Sequence, residues 1–254
     1  MKKILSVILA LALVMSVMLV SCKKETAESL VNGAMEKTNA HDAVEAEMKM
    51  ELVMSVMGME MEMPIDMKIQ AKDTKSEKPT TYTSMTMSFM GEDVSSEAYV
   101  EGDWVYSLTE GEGSKMSREE AEEDIGASAY SDILTEFPSE VFEGVEIVKN
   151  EDGTKTVEFT LTKEQLGEFY SELVDSFTET AGGDESTEVD ISDAKVKITV
   201  KSGEIFEFVM SFDMVMSVMG IEATAECTID CNYVKFDDDV VITPPEGYLD
   251  FPEY

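Results

Sequence analysis

Two long stretches of this chain alternate apolar and polar residues with period two, and both are built on nearly the same ten letters. Glu51-Leu-Val-Met-Ser-Val-Met-Gly-Met-Glu60 stands in the first third, and Asp213-Met-Val-Met-Ser-Val-Met-Gly-Ile-Glu222 near the other end. Period-two alternation is the mark of a strand with one buried face. In the first stretch Val44, Ala46, Met48, Met50, Leu52, Met54 and Val56 share a face on the rising strand. Met59, Met61, Met63, Ile65, Met67, Ile69 and Ala71 share one on the return. A two-residue turn at Met57-Gly58 sets Val56 against Met59, Met54 against Met61, Met50 against Ile65 and Val44 against Ala71. A slip of one residue would invert every side chain. A turn at Met219-Gly220 likewise sets Met216 against Ala223, Met214 against Ala225, Phe212 against Cys227, Met210 against Ile229 and Phe208 against Cys231. Large residues face small ones along most of this second ladder, which suits a curved sheet.

Between and around the hairpins the pattern predicts further elements. Glu25 to Ala40 reads as an amphipathic helix with Leu30, Val31, Ala34 and Met35 on one stripe, weakened by Gly33. Thr81 to Met90, Val94 to Val100 and Asp103 to Leu108 continue as a strand meander with corners at Gly91 and Gly102. Ser117-Arg-Glu-Glu120 has the form of a capping box opening an acidic helical or irregular segment to about Phe137, and Thr162-Lys-Glu-Gln165 opens a second helix. Val145 to Lys149 and Thr154 to Leu161 flank a turn at Asn150-Glu-Asp-Gly153. Ala181 to Thr187 is a loop, Val189 to Lys201 a single strand, and Val240 to Tyr254 an irregular strap. The expected fold is α+β but mainly antiparallel β. It is one strongly curved, half-open barrel of about ten strands with two or three helices in or over its mouth. The two hairpins are expected to form its first and last walls.

Composition changes the picture in two ways. The chain has 254 residues and a formal net charge of −35, a balance that repels nucleic acid because binding there needs Lys and Arg on phosphates. Lys2 and Lys3 precede an uncharged apolar run from Ile4 to Val20, closed by Leu19-Val20-Ser21-Cys22. That tetrad is similar to a bacterial lipobox; a transmembrane anchor is the alternative. The expected organisation is a signal peptide over 1–21, a lipidated tether over 22–24 starting at Cys22, and a single domain over 25–254. Lipid chains at Cys22 would hold the domain on a membrane outside the cytoplasm. Cys227 and Cys231 lie about 13 Å apart on an extended strand, beyond disulfide reach, so they are expected as buried thiols.

Candidate chemistry is sparse. The chain has one histidine, His41, and one arginine, Arg118. No Ser-His pairing, Cys-His signature or glycine-rich phosphate loop accompanies them. No catalytic residue, cofactor or metal ligand is assigned. The 20 methionines suit Cu(I) by softness, but cuprous sites need them to converge with His or Cys. Here they are spread over whole strand faces. Met is a flexible core filler, whereas a rigid core favours residues with defined rotamers. An ordinary core and an adaptable apolar wall therefore both remain open.

With its lipobox, first helix and long alternating hairpins, the chain resembles the LolA/LppX-like superfamily of bacterial lipoproteins and lipoprotein carriers. The resemblance implies a half-barrel whose apolar cavity holds acyl chains. Its candidate wall here is Met48, Met50, Met54, Met61, Met63 and Met67 on the first hairpin and Met85 and Met87 on the next strand. Phe208, Met210, Phe212 and Met214 on the second hairpin complete it. The expected function is a membrane-anchored, monomeric lipoprotein that binds a lipid or lipoprotein and is not an enzyme. The alternative is an envelope scaffold with a filled core and a protein partner, and a Cu(I)-handling protein is the third reading.

Overall fold

The computed structural model describes residues 25–89, 91–125, 137–166, 187–218 and 221–253. The signal segment with Cys22, the acidic segment after Ile125, the helix beyond Leu166, most of the 181–187 loop and the Met219-Gly220 turn lie outside the described residues. The expected class holds: a curved, open, mainly antiparallel sheet with few helices.

Helix α1 (Ala27–Asn39) starts where Thr26 accepts from the Ser29 N–H and Ser29 returns a bond to the Thr26 backbone. This reciprocal cap satisfies donors that a helix start leaves bare. Its buried stripe is Ala27, Leu30, Val31, Ala34 and Met35, while Gly33 faces outward with nothing near it. The strands are β1 (Ala43–Val56), β2 (Met59–Lys72), β3 (Thr80–Phe89), β4 (Glu92–Glu101), β5 (Trp104–Thr109) and β6 (Glu112–Ser117). A short helix α2 (Arg118–Ile125) follows. Then come β7 (Val148–Lys149), β8 (Lys155–Leu161), β9 (Thr187–Ile191), β10 (Ala194–Lys201), β11 (Glu204–Val218) and β12 (Ile221–Phe236). Both later capping boxes form: Ser117 with Glu120 and Thr162 with Gln165.

Both hairpin registers are those expected from the parity of the turns, from Val44 opposite Ala71 to Phe208 opposite Cys231. Their placement differs. The sheet runs β6-β5-β4-β3-β2-β1-β12-β11-β10-β8-β7, with β9 paired to β11. The hairpins are thus neighbours at its centre, joined by β1 against β12, and are not its first and last walls. Alternation fixes which face a residue takes but not which strand lies beside it. Size complementarity distinguishes this arrangement: Val56 meets Ala223, Met54 meets Ala225, and Leu52 meets Cys227. The small residues of β12 sit between large ones on β1 and large ones on β11.

Two strand assignments are corrected. β6 is an added strand, reached through a turn whose Glu110 and Gly111 both have positive φ. The single strand expected from Val189 to Lys201 is two, β9 and β10, separated by Ser192-Asp193. Three residues there oppose two of β11, between Ile191↔Met214 and Lys195↔Ser211. The bulge is held by Ser192 N–H donating to Asp213 O at 2.8 Å and Asp213 N–H donating to Ser192 Oγ at 2.9 Å.

The inner face carries the core, and α1 lies on it against β11 and β10. The outer face carries the acids and, on one wing, the C-terminal strap. Gln70 donates to Val241 O at 3.0 Å, Tyr248 meets Tyr99 and Tyr106 edge-on, and Lys115 N–H donates to Pro252 O. Phe251 sits where a Cβ on Gly113 would be. Under the strap Glu45 is 2% exposed, accepting from Gln70 at 2.5 Å and Lys235 at 2.8 Å. Burial pushes its carboxyl up, but Lys235, Gln70 and Lys68 together hold it below the ordinary value.

The central pairing has a direct test. Leu52→Cys faces native Cys227, and cross-strand neighbours stand about 4.5–5.5 Å apart at Cβ. Mild oxidation is expected to link them, read as a mobility shift in unreduced gels. Met50→Cys, opposite Ile229, is expected not to link.

Candidate functional site

The inner face is best followed as rows of paired positions running across the strands. Met61, Met54, Ala225, Met214 and Ile191 form one. Met59, Val56, Ala223, Met216 and Val189 form the next, nearer the hairpin tips. Further down, Met87, Ile65, Met50, Ile229 and Met210 line up, as do Met85, Met67, Met48, Cys231 and Phe208.

The twelve expected wall residues all lie on this one face, but they divide into two groups. Met48, Met67, Phe208, Met210, Phe212 and Met214 are buried in a cluster shared with Leu30, Val31, Ala34 and Met35 of α1 and with Phe142 and Phe159. They form a closed base. Met50, Met54, Met63 and Met85 are partly buried and packed against that cluster, and Met61 and Met87 are also half-buried. They form a rim toward the first hairpin's tip. Ile65, Met216 and Val189, outside the expected wall, are partly buried against the same cluster; the same alternation that selects Met214 also marks Met216.

The tip of the first hairpin stands open. Met57 is 74% and Met59 66% exposed. Met57 adopts φ 52 and Gly58 φ 79, the geometry of a tight turn that favours Asn-Gly. A methionine there costs backbone strain with no burial in return, and such departures cluster at functional positions.

The opposite, closed end is tied by charge. His41 Nδ1 contacts Asp237 at 2.7 Å and Nε2 contacts Glu204 at 3.2 Å, with Phe236 stacked on the ring at 4.2 Å. Lys37 of α1 donates to Ser202 O and pairs with Glu204. This knot joins α1, β1, β11 and the end of β12. Asp237, the first of the acidic run Asp237-Asp238-Asp239, is therefore not merely solvated: it accepts from His41 and from the Asp42 N–H. Arg118 donates to the carbonyls of Gly102 and Pro79, a structural use. Cys227 and Cys231 are free and buried, and burial pushes each thiol up to about 11. Among the described residues no three His, Cys, Asp or Glu side chains converge as a metal site, and no helix is long and apolar enough to cross a membrane.

Over residues 26–250 the chain matches the model described as "Family of unknown function (DUF6612)". It belongs to that family. No curated protein matches this DUF6612 chain. Among solved structures, it is similar to LprF from Mycobacterium bovis at 12% identity and TM-score 0.47, covering 87% of this chain and 97% of that one. It is also similar to a DUF1329 family protein from Desulfovibrio piger at 10% identity and TM-score 0.29, covering 86% and 96%. A domain from Vibrio parahaemolyticus, described as an outer membrane lipoprotein-sorting protein, matches at 9% identity and TM-score 0.26, covering 83% and 92%. Similarity at this level assigns no role to any residue.

The His41 knot sets a pH dependence. The hydrogen bond to Asp237, and with it Glu204, raises the His41 pKa above 6.5 against a smaller opposing effect of burial. Its contribution is full below 6.5 and is lost as pH rises through the raised value. Glu204, held mainly by Lys37, and Asp237, held mainly by His41, titrate below their ordinary 4.5 and 3.8. Their contributions are present above those values and vanish as acid reaches the lowered ones. The stability difference between wild type and His41→Gln, measured by urea unfolding, is expected to be largest near pH 5–6 and to shrink toward pH 9. A difference that is flat across this range would refute the charged knot.

Proposed function

We propose that this protein is an extracytoplasmic lipoprotein, tethered through Cys22, whose Met-lined rim takes up an apolar or acylated ligand. In this reading residues 1–21 are removed, 22–24 are the tether, and 25–254 are one domain with no catalytic role. The observation that supports it most is the division of the inner face. Its base is filled by α1 and aromatic residues, while Met50, Met54, Met61, Met63, Met85 and Met87 remain half-buried toward an exposed Met57 and Met59. Unbranched thioether side chains reshape around ligands of different outline. A half-exposed methionine wall therefore suits chains that vary in length and branching. The acids of the central strands, such as Glu47, Glu51, Glu62 and Glu226, stand on the opposite face, clear of this wall.

The second reading, an envelope scaffold contacting a protein partner, draws on the filled base. The two part company at the rim. Met54→Gln with Met63→Gln is expected to weaken binding of a fluorescent long-chain fatty acid about tenfold or more, since burying an unpaired amide costs about 1–3 kcal/mol. The unfolding midpoint should move little. Met210→Ala, in the base, is expected to cost about 2–5 kcal/mol of stability and leave the rim's affinity nearly unchanged. Native mass spectrometry of the cell-purified protein should show co-purifying lipid. A lipid-free protein that also ignores the fatty-acid probe would sink the ligand reading and leave the scaffold.

The tether has its own measurement. Cys22→Ala is expected to move the protein from the membrane pellet to the soluble fraction after cell breakage. Undiminished pelleting in high salt would remove the lipobox reading.

A further inference from the structure

Along the sequence the methionines are spread over strand faces and converge with no cysteine, which a cuprous site needs. The pairing of β1 with β12, which local pattern could not disclose, alters that at one row. Met85 of β3 faces Met67 of β2, Met67 faces Met48 of β1, and Met48 faces Cys231 of β12. Three thioethers and a thiol thus stand side by side across four adjacent strands on one face. Phe208 closes the row beyond Cys231, and Ser96 lies beyond Met85.

We propose that this row is a binding site for a soft monovalent cation, Cu(I), held by Cys231 with the thioethers of Met48 and Met67 and entered past Met85. This goes beyond ligand binding at the rim and does not depend on it. Three physical facts favour it. Cross-strand neighbours have Cβ atoms about 4.5–5.5 Å apart, and a methionine sulfur swings on three rotatable bonds, so rotamer changes alone can bring adjacent sulfurs onto one ion. Thiolate and thioether donors are the set that selects Cu(I) over harder cations. Charge also balances: one thiolate neutralises one monovalent cation, and the thioethers add none, so a neutral unit rests in an interior hostile to net charge. Met48, Met67 and Cys231 are buried, while Met85 at the row's end is half-exposed and gives a way in. On binding, the Cys231 S–H bond breaks, its proton leaves to solvent and a sulfur–metal bond forms. Thioether lone pairs complete the ion's coordination, and no electron is transferred because the metal enters already reduced.

The second buried thiol supplies the control. Cys227 has Leu52 and Phe212 directly opposite it on the two neighbouring strands, and the thioethers nearest it, Met50, Met54, Met210 and Met214, stand only on the diagonals, about 7–8 Å away. The full-length protein, kept in detergent under reducing conditions, is titrated with Cu(I) against the chelator bicinchoninate, with Ag(I) as a redox-inert check. One equivalent is expected to be taken from the chelator. Cys231→Ala should weaken binding at least tenfold, as should Met48→Leu with Met67→Leu, which nearly conserves volume. Cys227→Ala should leave it unchanged. X-ray absorption at the copper edge of the wild type, which requires no variant to fold, should show sulfur alone around the ion. Failure to compete with the chelator would overturn the site. So would equal loss in Cys227→Ala, or nitrogen and oxygen donors around copper.

Discussion

The pairing of β1 with β12 is the constraint on which the rest of this molecule depends. It brings strands almost two hundred residues apart in sequence into the middle of a single sheet, and every other element is placed by reference to it. The size pattern explains how such a seam is specified. Along β12 the inner positions are Ala223, Ala225 and Cys227; β1 offers Val56, Met54 and Leu52 beside them, and β11 offers Met216, Met214 and Phe212. A sheet that curves crowds its concave side, and a line of small residues between two lines of large ones relieves that crowding. Strand β12 is the crease. Because the seam joins the chain's first strand to its last, the central contacts close a very long loop, which predisposes the domain to slow folding.

The local rules were strong where the physics is local. Period two and turn parity were enough to write both hairpin registers residue by residue, and the capping patterns at Thr162 and Ser117 appear as hydrogen bonds. What local rules omit is adjacency. Nothing in the alternation of β1 names β12 as its neighbour, so the hairpins read as outer walls when they are the centre. Strand β6 was invisible for another reason. Glu112-Gly-Ser-Lys-Met-Ser117 has almost no apolar alternation, and its place is fixed from outside by Phe251 over Gly113 and by the strap's backbone. The single strand from Val189 to Lys201 hid a bulge, held by the serine–aspartate exchange with β11, that moves the inward positions from Val189 and Ile191 to Val196 and Ile198. For the wall, alternation correctly selected twelve residues of one face. It could not separate base from rim, because that division is made by α1 and Phe159, which arrive from elsewhere in the chain.

An open twelve-stranded sheet with a partly exposed methionine face should be prone to associate with itself, through its edges or through the wall. Its edges are dealt with structurally. The strap bonds to Lys115 on β6, and the far edge, β7, is two residues long; covering and shortening are two of the standard protections of a sheet edge. The wall is not covered in that way at its tip, where Met57 and Met59 face solvent. A net charge of −35 supplies the missing protection, since two copies of the same strong net charge repel each other on approach. A neutral apolar chain meets no such barrier. In the proposed reading charge and methionine act together as a filter: the acids hold off other protein molecules of like charge, and the thioethers accept what carries none.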